Sequence, residues 1–310
     1  MTDRLLTAPG ARREVSSRLA LVIASLFALA GFLWPLIATA VPKDAQAAVP
    51  VLALALVPVA VVALALTVDR QMHSATSVAL LGMLTAVGAA VRIAGTGVGG
   101  LEAVFIVLIL AGRAFGARFG FLLGMLVISL SSVLWGGIGP WTPFQIFACG
   151  WVGAGAGLLP RITARSQRRA ARLEVLMLMG YGILASYAFG LIMNLWFWPF
   201  AVGAGSDISY SAGAPVGQNL ASFGLYSLVT STLTWDTVRA VTTAVGILVV
   251  GPAALAALRR ARIGSARTRP ASGTTPRSTV PRGDGTRTRQ STARDEAEAP
   301  QTVPRPSARA

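Results

Sequence analysis

The chain has 310 residues, of which 54% are hydrophobic and 13% are charged, and its mean hydropathy is +0.64. A soluble domain carries about 25% charged residues, so this composition predicts an all-α polytopic membrane protein and excludes a soluble enzyme. The formal net charge of +15 lies in a basic tail and in short stretches between apolar runs. It therefore indicates membrane topology rather than nucleic-acid binding.

Eight apolar segments follow one another along the chain. Their approximate ranges are 19–41, 49–68, 77–95, 101–115, 119–134, 143–159, 173–193 and 233–258. The first, second, seventh and eighth reach or nearly reach the ~20 residues of a spanning helix. The fourth to sixth are short and interrupted by glycine. The first segment is longer than the apolar region of a typical signal peptide, so we expect a retained anchor helix.

The positions of the basic residues support eight spans with both termini in the cytoplasm. Fourteen arginines then lie in cytoplasmic stretches and only Lys43 lies in an external loop. We therefore expect a multi-pass protein of the cell membrane. It would have a cytoplasmic N-terminus (1–18), two N-terminal transmembrane helices (19–68), a core (74–260) and a disordered basic cytoplasmic tail (261–310).

The third segment carries small residues at helical spacing. Such a stripe allows a second helix to approach closely. It is explained either by packing inside the bundle or by docking of a separate membrane partner. The docking candidates are Ala75, Ala79, Gly82 and Ala86.

Polar and aromatic residues gather toward the predicted external ends of the segments, where six of the seven tryptophans lie. An aromatic belt would mark both membrane interfaces, so the one-sided enrichment favours an external pocket for a flat organic ligand. The two unusual external elements are the Gly- and Pro-rich loop 135–145 and the stretch 194–232, which we expect to be a long loop. The candidate ligand-binding residues are Trp135, Gly139, Trp141, Gln145, Asn194, Trp198, Trp235 and Asp236.

Charged side chains inside a membrane are candidates for function. Arg92 with Glu102, and Asp236 with Arg239 at i,i+3, are alternatively explained as structural ion pairs. A single cysteine and a single histidine suggest no metal site. The chain has no P-loop motif, so ATP-driven transport would require a second polypeptide to hydrolyse the ATP.

Four stretches together resemble the substrate-binding S component of an energy-coupling factor (ECF) vitamin transporter of the actinobacterial type. They are residues 104–124, 136–160, 190–200 and 232–260, and the most specific motifs are GPWTPFQ (139–145) and WDxxRA (235–240). The resemblance covers about 74–260. The two segments before residue 69 depart from the six-helix pattern of the family.

The resemblance implies a six-helix core that captures a vitamin or related micronutrient from outside, with cobalamin or another corrinoid as the first guess. It also implies docking to a transmembrane coupling protein and two ATPase subunits through Ala75, Ala79, Gly82 and Ala86. The protein itself would be a transporter subunit without a cofactor and not an enzyme. Alternatives are an intramembrane transferase acting on a lipid-linked substrate and a self-sufficient secondary transporter.

Overall fold

The computed structural model describes residues 9–37, 55–60, 62–63, 75–95, 102–202 and 205–267. Every regular element in these ranges is a helix. Residues 55–60 form a short helical stretch. The longer helices are α1 (Pro9–Ile37), α2 (Ala75–Gly95), α3 (Val104–Phe115), α4 (Ala117–Trp135), α5 (Thr142–Leu158), α6 (Gln167–Ala201), α7 (Val216–Ser227), a π-helix (Leu228–Asp236) and α8 (Thr237–Arg267).

Five helical stretches of the described residues are long and apolar enough to cross a membrane. They are Leu19–Leu36, Ala75–Gly95, Ala117–Trp135, Gln167–Ala201 and Val216–Ala261. The predicted all-α polytopic membrane fold is confirmed. Helices α3 and α5 are shorter, with 12 and 17 residues. Most of their side chains are buried, which suits short helices that are enclosed by protein rather than by lipid.

The prediction of a long external loop over 194–232 is wrong. Helix α6 continues to Ala201, and α7 with the π-helix occupies Val216–Asp236, so the connection between them is limited to residues 202–215. The last helix also extends to Arg267, beyond the predicted start of the tail at residue 261. Most of the predicted second span, residues 1–8 of the N-terminus and the tail from residue 268 lie outside the described residues.

Helices α3, α4 and α5 pack backbone against backbone through glycine. A methyl group added at Gly120 or Gly112 would overlap the carbonyl oxygen of Gly153, and one added at Gly153 would overlap that of Gly120. One turn further along α4, a methyl group at Gly124 would overlap the carbonyl oxygen of Cys149. We call these four glycines, 112, 120, 124 and 153, the glycine seam. Such close approach maximises van der Waals contact between helices in lipid.

The N-terminal helix α1 is packed onto the core by aromatic side chains. Phe32 is fully buried, and its ring centroid lies 4.9 Å from that of Phe144 and 5.5 Å from that of Trp151. Trp34 donates a hydrogen bond from Nε1 to the carbonyl oxygen of Trp196, at 3.0 Å. Helix α1 is therefore part of the same hydrophobic core as α5 and α6.

Candidate functional site

A buried charged group connects the residues just before α3 with the π-helix and α8. The guanidinium of Arg239 donates from Nε to Glu102 and from Nη1 to Oδ1 of Asp236, the latter at 2.8 Å. Asp236 has no exposed surface, and its Oδ2 accepts a hydrogen bond from Ser231 at 2.8 Å. Because an isolated charge is costly in this environment, Asp236 and Arg239 depend on each other. We call Glu102, Ser231, Asp236 and Arg239 the Arg239 group.

Residues of α3 and α6 pack around the Arg239 group. At Gly190 on α6, any side chain would overlap the carboxylate of Asp236. The guanidinium carbon of Arg239 lies 4.8 Å from the ring centroid of Phe189 and 5.7 Å from that of Phe105. These distances allow cation–π attraction, which strengthens where water is excluded. Gly190 thus leaves room for the carboxylate of Asp236, and two aromatic rings pack against the guanidinium of Arg239.

The π-helix sets the position of Asp236 relative to Arg239. Its wide turn brings Ser231 to Asp236, five residues later, within hydrogen-bond distance. The hydroxyl Oγ1 of Thr237 donates in the opposite direction, to the backbone carbonyl oxygen of Thr232 five residues earlier, at 2.7 Å. Short π-helical segments are frequent at functional sites because they change the direction of side chains within a helix. This feature marks the region as a candidate for ligand binding.

A second polar group joins α2, α4 and α5. Arg92 donates from Nη1 to Oγ of Ser131 at 2.9 Å and from Nη2 to Oε1 of Gln145 at 3.0 Å. Glu102 pairs with Arg239 instead of with Arg92, so the predicted Arg92–Glu102 pair is replaced by a contact from the last helix. The predicted Asp236–Arg239 pair is present. We call Arg92, Ser131 and Gln145 the Arg92 group.

The two groups lie at the same part of the helix bundle. Cys149 on α5, one turn after Gln145, is buried and lies within electrostatic range of Arg92, Glu102 and Arg239. Together they offer guanidinium, carboxylate, amide and hydroxyl groups, which can orient a polar ligand. Among the described residues, no cluster of three or more His, Cys, Asp or Glu side chains is suited to hold a metal ion.

Three of the predicted tryptophans, Trp135, Trp141 and Trp235, are exposed. We call this end of the bundle the tryptophan end. Gly136 closes α4 with a φ of 73°, a left-handed conformation that favours glycine. Gly139 donates its N–H to Oγ1 of Thr142 at 2.9 Å, and a side chain at Gly139 would overlap the ring of Trp141. The glycines therefore fix the loop and leave two aromatic rings exposed beside it.

The other two predicted residues have partners within the protein. Asn194 donates from Nδ2 to Oγ of Ser227 at 2.9 Å. Trp198 is fully buried and donates from Nε1 to the carbonyl oxygen of Ile208 at 2.7 Å. It packs against Tyr210 and Phe223, with ring centroids 5.3 and 5.5 Å away. Trp198 is therefore a core residue of a small second cluster rather than part of an open pocket.

Sequence reasoning missed the role of Trp196. Its ring stacks flat on Phe144, with centroids 4.4 Å apart and an interplanar angle of 8°. Its buried Nε1 has no hydrogen-bond partner among the described residues. A buried donor without an acceptor is costly, so it is an additional candidate to contact a ligand. From the sequence, Trp196 is one of the six tryptophans near the external ends of the segments, and its hydrogen bonding cannot be predicted.

The small-residue stripe of α2 remains on the surface of the described structure. Ala75, Ala79, Gly82 and Ala86 are all exposed, and nothing lies within 4 Å of the position a side chain at Gly82 would take. The opposite face of α2 packs on the bundle through Leu81, Leu84 and Gly88. The stripe is thus available for contact with another helix.

Comparison of the chain with protein families, curated proteins and solved structures finds no match.

Proposed function

We propose that the protein is the substrate-specific membrane subunit of an ECF-type ATP-driven importer. It captures a vitamin or related micronutrient outside the cell, with a corrinoid as the first ligand to test. In this proposal it lies in the cell membrane with both termini in the cytoplasm, so that the tryptophan end faces outward. The proposal rests mainly on the polar groups of Arg92 and Arg239, which place ionised side chains within an otherwise apolar bundle.

The geometry of these groups suits binding of a flat organic molecule with polar substituents. The Arg92 group and the Arg239 group bring hydrogen-bonding side chains from several helices into the bundle, and exposed indole rings flank the loop 136–141. Ligand sites commonly combine apolar and aromatic walls with a few placed polar groups. The motor is assigned to separate subunits, which the exposed stripe of α2 would contact. The protein would pass its ligand on through that complex.

The direct test is mass spectrometry of the full chain purified in mild detergent from its native membrane. The proposal expects a bound vitamin-like molecule together with a transmembrane coupling protein and ATPase subunits. A protein that carries neither, and that binds no member of a vitamin panel, would contradict the proposal. Binding of a lipid-linked sugar or prenyl donor instead would favour the transferase alternative.

We predict that Gly82→Leu will separate docking from folding. The new side chain meets nothing within the chain, so thermal stability should be unchanged, but it would hold a partner helix away from the stripe. Co-purification of the coupling and ATPase subunits should fall by about tenfold or more. The matched control is Gly180→Leu on α6, which is equally unobstructed and lies away from the stripe. Equal co-purification of the two variants would exclude α2 as the docking surface.

We also predict that Gln145→Ala and Asn194→Ala will weaken ligand binding by about tenfold each, the usual effect of losing one hydrogen bond to a polar partner. Membrane insertion should be unchanged, because both residues are only partly buried. Binding is measured by isothermal calorimetry with the co-purified ligand. Gln167→Ala, in the exposed first turn of α6, serves as the control at the opposite end of the bundle. Unchanged affinity in both variants would remove Gln145 and Asn194 from the site.

A further inference from the structure

A cavity of about 870 Å³ opens at the end of the bundle opposite the tryptophan end. Its wall is formed where α3 and α5 end, where α4 and α6 begin, and by Arg259 of α8. Arg113, Arg161, Arg259 and Glu174 are its charged residues. We call this the arginine cavity. Three guanidinium groups against one carboxylate leave it strongly positive, so its chemistry suits an anion.

Arg113 stabilises the wall of the arginine cavity through hydrogen bonds within the protein. Its side chain is only 7% exposed, and it donates to Glu174 at 2.7 Å and to the carbonyl oxygens of Leu159 and Pro160 at 2.7 and 3.0 Å. It therefore satisfies carbonyl groups left open at the end of α5. Because its hydrogen bonds are directed into the protein, Arg113 anchors Glu174 and is not the residue that meets a ligand.

Arg259 and Arg161 are the groups available to an anion. Arg259 is 46% exposed and donates from Nη2 to the same Oε1 of Glu174 at 2.6 Å. A guanidinium has five N–H donors, so this contact holds Arg259 at the cavity while other donors remain. Arg161 is exposed at the cavity wall. Gly116, the N-cap of α4, and Gln167, the first residue of α6, also line the cavity, and helix N-termini favour negative charge.

Apolar residues beside the arginine cavity indicate what kind of anion it takes. Leu159 and Ile162 line the cavity, and Leu158, next to them in the chain, is 76% exposed. The helices end here, at the level where a bilayer presents its headgroups. A ligand with a phosphate and acyl chains would use both the arginines and the leucines. Basic pockets between transmembrane helices bind anionic lipid headgroups in this manner.

We propose that the arginine cavity binds the phosphate headgroup of an anionic phospholipid from the adjacent leaflet, with the acyl chains against Leu158, Leu159 and Ile162. The site is separate from the ligand site at the tryptophan end and does not depend on the proposed transport function. Bound lipid would link the ends of α3, α5, α6 and α8 at one position in the membrane.

The test uses native mass spectrometry of the full chain in detergent, titrated with phosphatidylglycerol or with phosphatidylcholine of the same acyl chains. We expect about tenfold tighter binding of phosphatidylglycerol. Arg161→Gln should weaken it about fivefold, and Arg161→Gln with Arg259→Gln about twentyfold, since each arginine near a membrane surface contributes a similar increment. Arg161→Gln leaves the Arg113–Glu174 pair intact, so it tests binding without disturbing the fold.

The matched control is the double variant Arg168→Gln and Arg172→Gln, which removes the same charge from exposed positions outside the cavity. It should retain wild-type binding. Equal loss in both double variants, or equal binding of the two lipids, would overturn the proposal. Glycerol 3-phosphate should not compete, because it lacks acyl chains. Displacement of the lipid by glycerol 3-phosphate would instead identify a site for free phosphate compounds and would also overturn it.

Discussion

Replacing Gly153 by alanine should lower the free energy of unfolding by about 3 kcal/mol, the upper part of the usual range for overpacking. The added methyl group would overlap the carbonyl oxygen of Gly120 on α4. An obstacle formed by backbone cannot move aside as a flexible side chain can, so the two helices must separate. The measurement is denaturant-induced unfolding in mild detergent, with the yield of folded protein as a second readout. Gly120→Ala should behave in the same way.

The chain supplies matched controls for the glycine seam. At Gly180 on α6 and Gly224 on α7, an added methyl group meets nothing within 4 Å. Alanine there should leave stability unchanged or raise it by about 0.5–1 kcal/mol, because alanine is the better helix former. If Gly153→Ala proved as stable as Gly180→Ala, the close backbone contact between α4 and α5 would be refuted.

Replacing Arg239 by glutamine should lower the free energy of unfolding by about 3–5 kcal/mol, the usual cost of leaving one member of a buried ion pair alone. Asp236 would then remain fully buried, with Ser231 as its hydrogen-bond donor but without a positive partner. Thermal unfolding in detergent gives the loss, and binding of the co-purified ligand gives the effect on the site. Thermal stability and ligand affinity should decrease together.

Two further variants separate the charge from the packing. Asp236→Asn combined with Arg239→Gln should recover a large part of the lost stability, because no unpaired charge is left in the interior. Glu102→Gln should cost about 1 kcal/mol or less, since the side chain of Glu102 is 41% exposed. A double variant no more stable than Arg239→Gln alone would show that packing of the guanidinium on Phe105 and Phe189 matters more than charge.

The sequence was sufficient for the fold class because apolar runs reveal membrane helices directly. The runs near 77–95, 119–134 and 173–193 correspond to α2, α4 and α6. The i,i+3 spacing of Asp236 and Arg239 likewise indicated their ion pair. These features are local, so spacing along one helix determines them.

Features that depend on distant residues were not accessible from the sequence. Glu102 forms its ion pair with Arg239, 137 positions later in the chain. No local pattern in the sequence indicates with which arginine Glu102 pairs. The stretch 194–232 was expected to be a loop because it falls between the apolar segments 173–193 and 233–258. Contacts such as Asn194 to Ser227 and Trp198 to Phe223 stabilise helices there instead. Tertiary packing thus overrides local composition.

The packing of α1 has a consequence for the order of events during synthesis. The hydrogen bond from Trp34 reaches Trp196, which is made 162 residues later. At about 5–20 residues per second, the ribosome needs roughly 8–30 s to reach it. Phe144 and Trp151, the neighbours of Phe32, also emerge long after α1 has entered the membrane. Helix α1 therefore acquires these neighbours long after its own synthesis, and its final position depends on the arrival of α5 and α6.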